Sequence, residues 1–436
     1  MQKIFFTLVF LFITGGLFAQ NVDDIKDYIA KQQWDKAKSA VDGYLSKEKN
    51  AAKWEGWWYK GVIYNELAKS EQFKNLSPDG RMEAFNAFKK YYEIDTKAIQ
   101  GTLEQHVRLF DIYSGYFDLA VNNFNDANEL SKQKKDDEAA AMFSKAYTNF
   151  KNALTVEEYI SGKGYEYSAG GTTFKFPEFD TTLIKNIALS AYRANKQEDA
   201  IQYYQKIADK KITGPDNLDV YQLLVEHYNK KNDMANREKY LQLGRELYPN
   251  DDFWYQIELE DVDEKDTKAL FAKYDELIVK YPDKFVLAYN YSVLRFNYTY
   301  TSDKKPADYK ESQAMLESSL KKALALNKQS AEANVLLSRH YYNVIYDVQD
   351  EITAIKTNTP ADQKKKADLK AQMIAKADEL IPYAQDAFNI YNAKASLRPV
   401  EKGNFKMVTD IMASAYELKG DKAKSEELRK KQESIQ

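Results

Sequence analysis

Cysteine is absent from the 436 residues. That excludes disulfides, thiol nucleophiles, cysteine–zinc sites, cysteine-ligated iron–sulfur clusters and a lipid-modified N-terminal cysteine. Histidine is scarce: His106, His227 and His340 stand far apart and none belongs to an H-E-x-x-H pair, which argues against a zinc hydrolase. Neither charge predominates. With 63 basic and 66 acidic side chains the net charge is −3, too little positive charge for a phosphate-backbone binder, so no nucleic-acid partner is expected. A phosphate-cradling glycine loop ending in Gly-Lys-Ser/Thr is also missing. Ser168 lacks the glycine that a nucleophile elbow needs at Glu166, and Ser46-x2-Lys49 and Ser318-x2-Lys321 lack their companion motifs. The acidic run Glu258, Glu260, Asp261, Asp263, Glu264 and Asp266 has neither the glycine nor the spaced last glutamate of a calcium loop, and reads as an acidic helix end. No carboxylate pair is singled out for glycoside hydrolysis. The expectation is a non-enzyme with no cofactor and no metal.

What is present begins with an address. Lys3 precedes an apolar core from Ile4 to Ile13, followed by Gly15-Gly16 and a small residue, Ala19. That order predicts a secretory signal peptide over 1–19, cut before Gln20, and hence an exported protein, periplasmic or secreted. The segment is short and glycine-broken for a membrane span, so no transmembrane segment is expected in the mature chain.

From residue 22 onward apolar residues recur at helical spacing. Ile184, Ile187, Ala188 and Ala191 form one stripe. After a polar break at Asn195 to Gln197, Ala200, Tyr204, Ile207 and Ala208 form a second. The unit returns with Tyr221, Leu224, Val225 and Tyr228, then Leu241, Gly244 and Leu247. Another copy starts at Trp254 and Ile257 and passes through Tyr274 and Leu277. Pro249 and Pro282, 33 residues apart, end the second helices of these two units.

These units resemble the tetratricopeptide repeat (TPR), with its 34-residue period and W-x2-L-G-x2-Y, A, F, P pattern. The likeness is carried by Trp57-x2-Lys60-Gly61-x2-Tyr64 with Ala84 and Phe88, and by Tyr221-x2-Leu224-Val225-x2-Tyr228 with Leu241 and Pro249. Lys321 to Asn327 resembles the end of a second helix, and Tyr416, Gly420 and Asp421 an inter-helix turn. An earlier copy shows in Trp34, Ala37, Val41 and Tyr44, and a weaker one in Ala139, Phe143 and Ala146. The resemblance implies an all-α helical-hairpin solenoid, a TPR-like right-handed superhelix, with N-terminal repeats over 20–159 and C-terminal repeats over 182–436. One hairpin cannot bury both of its apolar stripes alone, so successive hairpins must stack.

Between them, residues 160–181 break the helical pattern. Tyr165 and Tyr167 alternate with polar residues, Gly170-Gly171 offers a tight turn, and Phe174 and Phe176 alternate again. This predicts a β-hairpin or ordered aromatic loop, either a recognition element or a flap packed on its neighbours. Further on, Thr359 is placed as an N-cap with Pro360 in the first turn, and Lys364-Lys365-Lys366 as a solvated face.

First helices of this family line a concave groove that holds partners. By position, the groove side would include Trp58, Lys185, Tyr192, Arg193, Tyr289, Arg339 and Tyr342. The implied role is a non-catalytic exported scaffold for a protein or peptide partner. The terminal-carboxylate clamp of some chaperone-binding members is broken here, because Leu189 stands one turn after Lys185. A second reading is a carbohydrate-capture protein of a nutrient-uptake system. It predicts Trp57, Trp58 or Trp254 as an exposed flat platform, whereas a scaffold predicts them mostly buried.

Overall fold

The computed structural model describes residues 21–301 and 304–435. The expected signal peptide, 1–19, lies outside the described residues. The chain divides into two compact units, one up to Asp251 and one from Asp252.

The first unit opens with α1 (Val22–Ala30), α2 (Trp34–Leu45) and the short α3 (Glu48–Ala51), followed by α4 (Trp54–Lys69) and α5 (Gly80–Ile94). A single turn, α6 (Ile99–Leu103), leads to two long helices, α7 (Val107–Lys132) and α8 (Asp136–Gly162). The hairpin β1 (Tyr167–Ala169) and β2 (Thr172–Phe174) follows. Two further helix pairs close the unit: α9 (Thr181–Arg193) with α10 (Gln197–Asp209), and α11 (Leu218–Lys230) with α12 (Met234–Leu247). Within each pair the helices pack on one another, and α8 on α9 and α10 on α11 carry the packing from pair to pair. Packing that runs between helices near one another in sequence is what a stack of hairpins requires.

The stripes read from the sequence are the buried ones. Ile184, Ile187, Ala188 and Ala191 on α9 face Ala200, Tyr204, Ile207 and Ala208 on α10, and all eight are buried. Each large aliphatic side chain so removed from water contributes about 1.5–3 kcal/mol. Close approach of α4 to α5 depends on Gly61, where a Cβ would stand 2.6 Å from the ring of Phe88.

One turn recurs inside the hairpins. Gln32, Lys134, Asn195, Asn232 and Gly420 each have positive φ, and each lies two residues before the second helix of its pair. Glycine and asparagine suit that left-handed conformation; lysine and glutamine adopt it against their preference because the packed pair on either side fixes the turn.

The second unit contains α13 (Phe253–Leu259), α14 (Thr267–Lys280), α15 (Phe285–Tyr300) and α16 (Tyr309–Leu326). It ends with α17 (Ala331–Ala354), α18 (Pro360–Asn392), α19 (Pro399–Leu418) and α20 (Lys422–Ser434). Thr359 caps α18 in a reciprocal box with Asp362, and Lys364 and Lys365 are exposed on its first turns. α13 has only seven residues, yet Trp254, Tyr255 and Ile257 on it are buried. The acidic run after it divides. Glu258 is buried and bonded to Lys280 and Tyr281, while Asp266 caps α14.

Candidate functional site: an aromatic cleft beside an inserted hairpin

Residues 163–180 do form the antiparallel hairpin. Tyr167 pairs with Phe174, Ser168 with Thr173 and Ala169 with Thr172. Gly170 and Gly171 both have positive φ, as the tight two-residue connection of a twisted hairpin requires. Two strands of three residues are not stable alone, and the neighbouring helices supply the support. The Tyr165 ring stacks on His106 at 3.8 Å between centroids, and the His106 Nδ1 lies 2.8 Å from the Tyr92 hydroxyl. Burial lowers the His106 pKa and so holds the ring neutral against Tyr165. The Ser168 amide donates to the Gln105 side chain at 3.1 Å. Glu166 and Lys175 pair across the strands at 3.1 Å. Phe176 then stacks on Phe110 at 5.3 Å and leans on Tyr113 at 4.4 Å, both on α7.

This support leaves a cleft of about 540 Å3 between α7 and the hairpin. Half of its lining residues are aromatic: Phe110 and Tyr113 from α7, and Tyr167, Phe174 and Phe176 from the insertion. Asp111, Ser114, Thr173 and Lys175 add a few polar groups. Phe174 is 50% exposed although it belongs to an ordered strand. An apolar cleft with a small number of polar groups is suited to a side chain or short segment of another molecule. Burial, with the negative charges of Glu157 and Asp180, raises the Tyr113 pKa well above its ordinary value, so its hydroxyl stays protonated.

The seven groove residues expected from the sequence divide between the units, four in the first and three in the second. Trp58 is a correction: it is 4% exposed, with its ring edge-on to Phe88 at 5.2 Å and Tyr91 at 4.9 Å. A ring of that size on α4 fills the space above α5 instead of facing a partner. Lys185 is half-buried and ion-paired with Asp219 at 2.9 Å. Tyr192 is 42% exposed and lines a small cleft with Tyr204 and His227. Arg193 is exposed, its guanidinium 5.9 Å from the centre of Phe143. The other three lie in the second unit. Tyr289 is half-buried against Phe285, Arg339 lies 4.5 Å above the ring of Phe296, and the Tyr342 hydroxyl meets Tyr346 at 3.1 Å.

Sequence reasoning missed Phe110, Tyr113 and Glu157. A signal for the last was present. Phe143, Ala146, Phe150, Ala153, Glu157 and Ile160 follow one another at steps of three and four, a core stripe with one carboxylate in it. All six are buried.

No protein-family model matches the chain, and no curated protein matches it. Among solved structures it is similar to a TPR repeats protein from Bacteroides fragilis. Their identity is 15% and the TM-score 0.27, covering 68% of this chain and 98% of that one. It is also similar to the C-terminal part of a TPR repeat-containing protein from Cytophaga hutchinsonii, with 12% identity, a TM-score of 0.22, and 73% and 93% covered. A third similar structure is Naa15/Naa10 bound to HypK-THB, at 14% identity and a TM-score of 0.31; 96% of this chain spans 59% of that one. At scores this low, none of these likenesses bears on the site or on function. The helix order and the pairwise packing define the fold instead: an all-α solenoid of TPR-like helical hairpins.

Proposed function

We propose that this is a non-catalytic, exported scaffold that holds a segment of a protein or peptide partner, with the aromatic cleft of the first unit as a contact. The observation that carries this reading is Phe174, half exposed at the mouth of a 540 Å3 cleft on a hairpin anchored by Tyr165 and Phe176. An anchored aromatic is already ordered before binding, so little entropy remains to be lost when a partner covers it. The tryptophans favour the scaffold over the carbohydrate reading. Trp58 and Trp254 are buried, and Trp57 is half-buried with its indole N–H donating to the Ala51 carbonyl at 2.8 Å. None of these three rings stands out as the exposed flat platform that the carbohydrate reading predicts.

The test is site-directed photo-crosslinking in the native cell envelope, with a photoreactive phenylalanine at 174 and a control at the exposed Val279. A discrete protein adduct at 174 and none at 279 is expected, with loss of binding of the identified partner on Phe174→Ala. Adducts of equal yield at both positions would sink the reading. Export has its own check: the mass of the protein recovered from its native cell should correspond to a chain beginning at Gln20.

A further inference from the structure

A second cavity, of about 590 Å3, adjoins the return of the hairpin and carries different chemistry. Glu157 lines it from α8 and is 2% exposed. Its Oε2 has no hydrogen-bond partner, and among the described residues no cation is ion-paired with it. Tyr113 of the aromatic cleft stands beside the same carboxyl, so the two cavities share a wall. Asp180 faces the cavity while capping α9, with its Oδ1 accepting from the Leu183 amide at 2.8 Å. Glu158 and Glu178 stand exposed at the rim.

Lys206 and Asp209 of α10 and Lys210 just after it complete the lining, and each already has a partner. Lys206 lies over the Tyr203 ring at 4.8 Å, Lys210 over Phe179 at 5.1 Å, and Asp209 pairs with Lys239 at 2.9 Å. Acidic groups therefore outnumber the lysines around a buried carboxyl with one unused oxygen.

We propose that this cavity receives the ammonium or guanidinium end of a lysine or arginine side chain belonging to the partner segment. The inference rests on the reading above that the partner is a protein or peptide. A cation supplies Oε2 with the charge-assisted hydrogen bond it lacks. The aliphatic stem of such a side chain is matched by Leu154 and Ile184 on the cavity wall. A metal ion is a poorer fit, because among the described residues no three carboxylate or histidine groups converge closely enough to hold one.

The carboxyl adds a proton to the exchange. Burial first, then the negative charges of Asp180 and Glu158, push the Glu157 pKa up to about 8, against the opposing influence of the Tyr113 hydroxyl. Glu157 is therefore mostly protonated at neutral pH. An arriving cation favours the ionised form and expels that proton to solvent. Binding becomes tighter as pH rises from 6 to 8, by up to about tenfold per unit, and levels off above.

The experiment uses the full chain with N-acetyl-arginine amide and its neutral isostere, N-acetyl-citrulline amide. Calorimetry runs at several pH values in two buffers of different ionisation enthalpy. Expected are one site for the arginine compound, at least tenfold weaker binding of the citrulline compound, and release of nearly one proton at pH 7. Glu157→Gln should weaken arginine binding at least tenfold and abolish the proton release. Equal binding of the two amides, a pH-independent affinity, or proton release that survives in the glutamine variant would overturn the proposal. The two wild-type readouts do not depend on how the variant folds. Binding of the arginine amide with the proton release, but without a specific adduct at Phe174, would sink the aromatic-cleft reading and support this site. A specific adduct at Phe174 with no discrimination between the amides would do the reverse.

Discussion

Two units built from the same kind of helical hairpin treat a buried carboxylate in opposite ways. In the second unit Glu258 accepts from Lys280 at 2.6 Å and from Tyr281 at 2.8 Å, with Lys273 at 3.7 Å. Glu401 accepts from Lys394 at 2.7 Å and from both the side chain and the backbone of Arg398. Those partners hold its carboxyl down at about 2. Glu317 is likewise kept far below the ordinary carboxylate range by His340, 3.7 Å away, and by hydrogen bonds from Lys321 and Tyr341. In the first unit Glu157 is just as buried, with one oxygen unpaired and its pKa raised instead. A stack of hairpins can therefore bury a charge by surrounding it with partners. Where it leaves the partner out, the place is open to a ligand.

The largest expected effect comes from breaking a satisfied group. Glu258→Ala strands Lys280 and the Tyr281 hydroxyl, and should cost about 2–4 kcal/mol, seen as a fall in the thermal unfolding temperature. If unfolding is unmoved, the contrast between satisfied and unsatisfied carboxyls loses its energetic content.

The opposite sign is expected at Glu157. Its folded-state pKa lies above the ordinary 4.5, so the unfolded chain sheds its proton first as pH rises. Stability is fully present below about pH 4.5 and is lost progressively up to about pH 8. Glu157→Gln removes this penalty. It should raise stability at pH 7–8 by roughly 1–3 kcal/mol and leave it unchanged near pH 4. A variant less stable than the parent at pH 8 would show that the carboxylate is paired after all.

Glu401 sharpens the comparison from the acid side. Its pKa is depressed from 4.5 to about 2, so its contribution is present above pH 4.5 and disappears as pH falls toward 2. Glu401→Gln should flatten the acid limb of the stability profile. Thermal unfolding from pH 5 down to pH 2 measures it.

The helix pairs were legible in the sequence because their apolar stripes repeat at the helical period, and Ile184 to Ala208 is the clearest case. Three features were harder to read. The left-handed turn that recurs before five of the second helices uses Gly420 and Asn195, which signal it, but also Lys134 and Gln32, which do not. Trp58 fits a first-helix pattern, yet whether its ring meets Phe88 or a partner depends on packing across the pair that no spacing reveals. The aromatic cleft depends on contacts such as Phe176 on Phe110, 66 residues away in sequence. The insertion itself was visible, because alternation around Gly170-Gly171 departs from helical spacing. Its dual character, part flap and part exposed edge, was not.

The inserted hairpin permits the finest test, since Phe176 and Phe174 differ only in which side of the support they occupy. Phe176→Ala removes the stack on Phe110 and Tyr113. It should cost about 1–2 kcal/mol of local stability, read as faster hydrogen exchange over 165–176 and faster cleavage near Gly170. Phe174→Ala removes a ring that is half in water and contacts Tyr167 at 6.0 Å. Its effect on thermal unfolding should stay within about 0.5 kcal/mol. Binding of the crosslinked partner should nevertheless fall tenfold or more, because a pre-ordered exposed aromatic contributes mainly to the complex. Were Phe174→Ala to loosen the hairpin as much as Phe176→Ala does, the ring would be part of the support, and the case for a docking surface at this edge would fail.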